Sequence, residues 1–166
     1  MRERQFVSFF ASGRLFGIDI LVVREIIRNV SFTPVEHAPP AVRGLLNLRG
    51  QIITVLDMAR ALGLESQGGP EGSRCIILKT SDEAGHLLES GQVTDEMQAD
   101  AVGLLVDSIS DVVTVDEADL DPAPANTSSC DSDFTQGVVQ LEGNLLTVLA
   151  LKPLVAQGTG LTPSGV

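Results

Sequence analysis

The chain has 166 residues, enough to bury the core of one domain or of two small fused lobes without stapling. A formal net charge of −11, no Trp, no Tyr and only six Phe argue against phosphate-rich partners such as nucleic acid or anionic lipid, and against base-stacking platforms. The charge is uneven: residues 1–60 carry eight arginines against five acids, a balance of +3, while residues 61–166 carry three basic groups against seventeen acids, a balance of −14.

The opening reads as a hairpin, with a β-type run from Gln5 to Ala11, a turn at Ser12-Gly13-Arg14, and a second strand through Leu15–Ile20. Met1-Arg2-Glu3-Arg4 is basic, but the apolar stretch behind it stops at Ser12 and has no small-residue cleavage site, so a secretory signal is not expected. Val22–Ile27 is β-branched and reads as a strand, although Val22, Val23, Ile26 and Ile27 also fit one helical face. Prolines 34, 39 and 40 then break regular structure, Ala41–Leu46 fits a helical turn or two, and Asn47–Gly50 reads as a tight turn. Gln51–Asp57 is the clearest buried strand, followed by a short helix over Met58–Leu64 that ends near Gly63.

Beyond the glycine-rich stretch Ser66–Gly72, strands are predicted over Cys75–Lys79, Ala101–Val106 and Val112–Val115. Residues 80–100 and 116–133 read as irregular, exposed loops. Phe134–Leu141 and Asn144–Leu149 form a predicted hairpin across Glu142-Gly143. Leu151–Val155 fits a short helix if Pro153 lies in its first turn, and 156–166 reads as a flexible tail. No stretch approaches the roughly 18 consecutive apolar residues of a membrane span, so a cytoplasmic protein with no direct membrane insertion is expected.

A self-similarity organises this list. Residues Gly44–Asp57 (GLLNLRGQIITVLD) align without a gap against Gly137–Ala150 (GVVQLEGNLLTVLA), and Phe16-Gly17-Ile18 through Ile27 has a looser echo in Val102-Gly103-Leu104 through Val113. The repeated device is a β-turn-β unit whose glycines allow close approach or positive φ. Two such units imply two similar lobes, and small sheets shed open edges most completely by closing into barrels. The copies differ where chemistry enters: Arg49 and Asp57 in the first stand against Glu142 and Ala150 in the second. Glu25 gives Arg49 a charge-assisted partner, either partly buried or solvated, while the second copy sets Asp111 against Glu142.

Catalytic chemistry finds no foothold. His37 and His86 have no ligand-like spacing to each other or to Cys75 and Cys130, and no catalytic, cofactor or metal site is expected. The two cysteines lack the spacing of a secreted disulfide framework. The glycines lack the Gly-Lys-Ser/Thr ending of a phosphate loop. Asp57 and Asp107 follow apolar runs, where capping of a strand end is the ordinary role.

Phe16-Gly17-Ile18-Asp19-Ile20, Val23-Arg24-Glu25-Ile26, Thr33-Pro34-Val35, Val42-Arg43-Gly44, Asn47-Leu48-Arg49-Gly50 and Val55-Leu56-Asp57, in that order, resemble the CheW family of chemotaxis coupling proteins. Val102–Asp107, Val112-Val113 and Leu141-Glu142-Gly143 extend the resemblance over about 5–155. It implies a mostly β fold of two similar five-stranded, SH3-like barrels packed together with short helices. In order along the chain, the first lobe would span roughly 15–64 plus a terminal element and the second roughly 75–150. The resemblance also implies a non-catalytic, stand-alone adaptor, free of cofactors, clustered at receptor arrays. Its partners would be the regulatory domain of a chemotaxis histidine kinase and the cytoplasmic tip of a methyl-accepting chemoreceptor. Glu25 and Arg49, with Val23 and Ile26 around them, would support the receptor side, and Leu45, Leu48, Ile53 and Val55 are candidates for the kinase interface. A β-barrel protein- or ligand-binding module outside chemosensing is the alternative.

Overall fold

The computed structural model describes residues 3–28, 31–64, 74–80, 83, 101–121 and 135–159. Ten strands are described. The first five are β1 (Glu3–Ala11), β2 (Arg14–Asp19), β3 (Val23–Arg28), β4 (Val42–Leu48) and β5 (Gln51–Asp57). The second five are β6 (Arg74–Leu78), β7 (Val102–Val106), β8 (Ser108–Asp116), β9 (Thr135–Leu141) and β10 (Asn144–Leu149). Helix α1 (Met58–Ala61) follows β5, and α2 (Leu151–Thr159) follows β10.

The strands form two five-stranded sheets, ordered β8-β1-β2-β10-β9 and β3-β6-β7-β5-β4. If β1–β5 and β6–β10 are taken as two copies of one unit, the two orders are the same order. Each sheet takes its first-and-second-strand hairpin from one copy and its remaining three strands from the other. The expected division into a first lobe of roughly 15–64 plus a terminal element and a second of roughly 75–150 gives way to another: β1 and β2 complete the sheet of β8–β10, and β6 and β7 complete the sheet of β3–β5. Self-similarity along a chain reports repeated strands but not which copy each strand pairs with, and here every joint between hairpins joins opposite copies.

Both sheets close in the same way. Beyond β3 the backbone of Thr33 exchanges two hydrogen bonds with Leu45 of β4, each 2.8 Å; beyond β8 Asp121 does the same with Val138 of β9, at 2.7 and 2.9 Å. Each crossing presses on a glycine. A Cβ on Gly44 would lie 2.3 Å from the Thr33 carbonyl oxygen, and one on Gly137 would lie 2.8 Å from that of Asp121. The hairpin β4–β5 turns through Arg49 and Gly50, both at positive φ (51° and 83°), as the two-residue turns that match strand twist require.

The prediction of helix at Ala41–Leu46 fails: Val42–Leu48 is β4. Its alternation, with Gly44 and Leu46 buried and Leu45 and Asn47 exposed, has the period of a strand. Val22–Ile27 resolves into a 3-10 turn at Ile20–Val22 and then β3. The helix after β5 is shorter than expected. Asp57 caps its start by accepting from the Arg60 N–H, and Gly63, at φ 77°, ends it while Leu64 N–H reaches back to the Ala59 carbonyl. Pro153 does lie in the first turn of α2, which runs through Thr159, so the helix takes in the start of the predicted tail. The expected loops at 80–100 and 116–133 lie mostly outside the described residues, although Glu117–Asp119 forms a 3-10 turn.

Each barrel has a core of its own, one built on Ile53, Val55, Cys75 and Ile77, the other on Phe6, Leu146 and Val148. The largest apolar cluster lies at the waist and draws on both sheets and both helices: Phe9, Phe16 and Ile18 meet Leu56, Ile76 and Leu104, with Met58 and Leu62 beside Leu151 and Leu154. At about 25 cal/mol per Å² of apolar surface, burial on this scale welds the barrels into one body.

Candidate docking site

Glu25 on β3 and Arg49 at the tip of the β4–β5 hairpin meet across the mouth of their barrel. The guanidinium donates twice, Nη1 to Oε1 at 3.0 Å and Nη2 to Oε2 at 2.8 Å, in the parallel fork that arginine and carboxylate favour. Arg49 is 73% exposed and Glu25 24%, so of the two arrangements left open by the sequence the pair is the solvated one. The double hydrogen bond holds the Glu25 carboxyl below the usual carboxylate range against a smaller opposing effect of desolvation, and raises the Arg49 pKa.

A second strut stands beside the first. Arg24 donates from Nη1 to the Gln51 side-chain oxygen at 2.6 Å and from Nη2 to Glu83 at 2.7 Å. Glu83 also accepts from the Thr80 N–H and hydroxyl, and these bonds, the backbone one first, lower its pKa. Adjacent residues of β3 are thus tied to Arg49 and Gln51, on either side of Gly50 at the β4–β5 tip. Sequence reasoning singled out Glu25–Arg49 but missed Arg24–Gln51, which lies one residue before it on β3 and two residues after it on the hairpin.

The other named residues divide by the pleat of their strands. Val23 is half-buried against the waist, while Ile26, which follows Glu25 on β3, is 38% exposed. Leu45 is also 38% exposed, and Leu48 packs against the core of its barrel. Ile53 and Val55 are corrections to the kinase-side candidates: both are wholly buried and cannot touch a partner while the barrel is intact. On β5 the outward position is Ile52, 56% exposed and paired with Asn47, while Thr54 pairs with Leu45. Period-two alternation sets Ile52 on the face opposite Ile53, but only the partner strands decide which of the two faces out.

Across the molecule the equivalent outward positions are again apolar: Val112 on β8 and Leu145 on β10 are 49% and 47% exposed. Asp57 and Asp107 are structural, as expected. Asp57 pairs with Arg43 at 3.0 Å besides capping α1, and Asp107 accepts from the Ser12 N–H. Cys75 is fully buried, with its thiol pushed up to about 12 by desolvation. His86 and Cys130 lie outside the described residues, among which no group of three or more His, Cys, Asp or Glu is placed to hold a metal ion.

A family model for the CheW-like domain matches residues 5–158. The chain belongs to that family. Similar family members include a chemotaxis protein CheW of Rhizobium meliloti, 30% identical over 148 residues that make up 89% of this chain and 84% of the relative. Another is the chemotaxis protein CheW of Thermotoga maritima, 26% identical with 96% and 92% of the two chains covered. Among solved structures, the crystal structure of the scaffolding protein TtCheW from Thermoanaerobacter tengcongensis superposes with a TM-score of 0.75. It is 27% identical, and the match covers 93% of this chain and 88% of that one. Its family and these relatives make the chain a chemotaxis scaffolding protein. Among the described residues no helix is long and apolar enough to cross a membrane.

Proposed function

We propose that this chain is a non-catalytic coupler, holding the cytoplasmic tip of a methyl-accepting chemoreceptor and the regulatory domain of a chemotaxis histidine kinase on separate faces of one rigid body. The observation that carries the proposal is the exposed double strut, Glu25–Arg49 and Arg24–Gln51, which fixes the outer face of the β3–β6–β7–β5–β4 barrel without burying it. Chemotaxis relatives described as scaffolding proteins support the same reading.

The receptor tip docks beside Glu25, Arg49 and Ile26, and the kinase domain docks on the outward hairpin face at Leu45 and Ile52. Leu48 and Val23 hold these faces from behind. Coupling is then a matter of linkage: a receptor state that prefers one geometry of its site biases the kinase through the shared body. Each contact is of modest strength and gains from repetition in a receptor array at the cytoplasmic face of the membrane.

The test is a binding titration of the full chain against a chemoreceptor tip and, separately, a kinase regulatory domain. Arg49→Glu should abolish or strongly weaken receptor binding and spare kinase binding, Ile52→Asp should do the reverse, and Glu25→Arg combined with Arg49→Glu should restore part of the receptor affinity. A wild-type chain that binds neither partner removes the proposal and favours a binding module outside chemosensing.

A further inference from the structure

The two barrels are not consecutive along the chain, and this has a thermodynamic consequence. The hairpins β1–β2, β4–β5, β6–β7 and β9–β10 each lie within one half of the chain. The four ladders that join hairpins into sheets, β1–β8, β2–β10, β3–β6 and β5–β7, all run between halves. Among the described residues, strands β3 and β8 have no ladder within their own half. Neither half of the chain can therefore complete a barrel by itself.

We propose that strand exchange makes the two barrels one cooperative unit, so that a loss or gain of stability in either is felt in full by the other. A two-lobed protein whose lobes each own a core, as these do at Ile53–Val55 and at Phe6–Leu146, ordinarily opens lobe by lobe. Here, opening the β8-β1-β2-β10-β9 barrel releases β1 and β2 from their partners. The same opening frees one face of the waist cluster, in which Phe9, Phe16 and Ile18 support Ile76 and Leu104 of the other sheet. The chain must also pass from one barrel to the other within the 3-10 turn Ile20–Val22 and again at the single residue Asp107, which leaves no slack to absorb an unfolded neighbour. A partner docked on one barrel consequently stabilises the other by mass action as well as by contact.

Cys75 supplies the probe, because it is fully buried in the β3-β6-β7-β5-β4 barrel and reacts only when that barrel opens. The experiment uses the full chain carrying Cys130→Ser and measures thiol labelling of Cys75, together with amide exchange in both sheets. Leu146→Ala removes a side chain wholly buried in the core of the opposite barrel. It is expected to speed Cys75 labelling on the order of a hundredfold, and to lower the protection of Phe6 and Ile77 amides by the same factor. Val139→Ala, milder and in the same core, serves if Leu146→Ala does not fold, and should give a smaller but equally shared loss. Cys75 labelling and Ile77 protection that stay at their original values while Phe6 loses protection would overturn the proposal, as would a melt in two separate steps.

Discussion

The two barrels share a strand order and a way of closing, yet they keep different residues at the same places. At the mouth of one, Glu25 and Arg49 form an ion pair; at the matching positions of the other stand Asp111 and Glu142, two acids. At the end of the last strand one has Asp57, salt-bridged and capping a helix, and the other has Ala150, yet a helix follows both. What both retain is glycine where the backbone crosses (Gly44, Gly137) and glycine in the hairpin turn (Gly50, Gly143). The steric demands of closing the barrel recur, while the charged groups have been free to diverge and give the molecule two unlike faces.

The largest effect that separates the barrels is expected at the crossings. Gly44→Ala should destabilise the protein by roughly 1–3 kcal/mol in urea denaturation, because the new methyl would press on a backbone oxygen at 2.3 Å. Gly137→Ala should cost less, since the backbone oxygen it meets, that of Asp121, lies at 2.8 Å and not 2.3 Å, and Gly44 is the one of the two at positive φ (156°). Equal losses would mean that the two closures are mechanically alike. Next comes Asp57→Ala, which imitates the second copy. Losing the α1 cap and the Arg43 partner should cost about 1–2 kcal/mol, read by thermal unfolding, whereas Asp57→Asn should recover the capping part alone.

How far these contrasts were legible beforehand depended on the range of the interaction. The hairpins β1–β2 and β9–β10, the turn glycines and the Glu25–Arg49 pair are local or follow from aligning two similar segments, and these were readable. The assignment of β6 and β7 to the sheet of β3–β5 was not, because a four-residue parallel ladder such as Thr54–Asp57 against Val102–Leu105 leaves no mark in composition. Ala41–Leu46 reads as helix because Gly44 and the Leu45-Leu46 pair hide a period of two, which becomes plain once Thr33 is known to lie across Gly44. Ile53 and Val55 were misplaced for a related reason: in a run of apolar residues the sequence does not say which parity faces in, and the partner strand decides it.

Smaller effects sharpen the comparison at the mouths. Arg49→Ala should leave the melting temperature within about 1 °C of wild type, as for an exposed pair, even where receptor binding is lost. The pH dependence has a definite sign. Glu25 and Glu83 titrate below their ordinary value in the folded chain, so what they contribute is fully present above that value and is lost as pH falls through the lowered folded one. Carboxyl NMR titration should show both midpoints depressed, with Arg49→Ala returning Glu25 alone toward the ordinary range and Arg24→Ala moving chiefly Glu83.

The single-residue bridges at Thr33 and Asp121 have one more implication. A sheet that ends in bare N–H and C=O groups invites further strands to add, and ten strands crowded at high local concentration would be prone to fibrous association. By laying one residue of its own backbone across β4 and another across β9, one terminal strand of each sheet, the chain occupies part of the place an intruder would take on those edges.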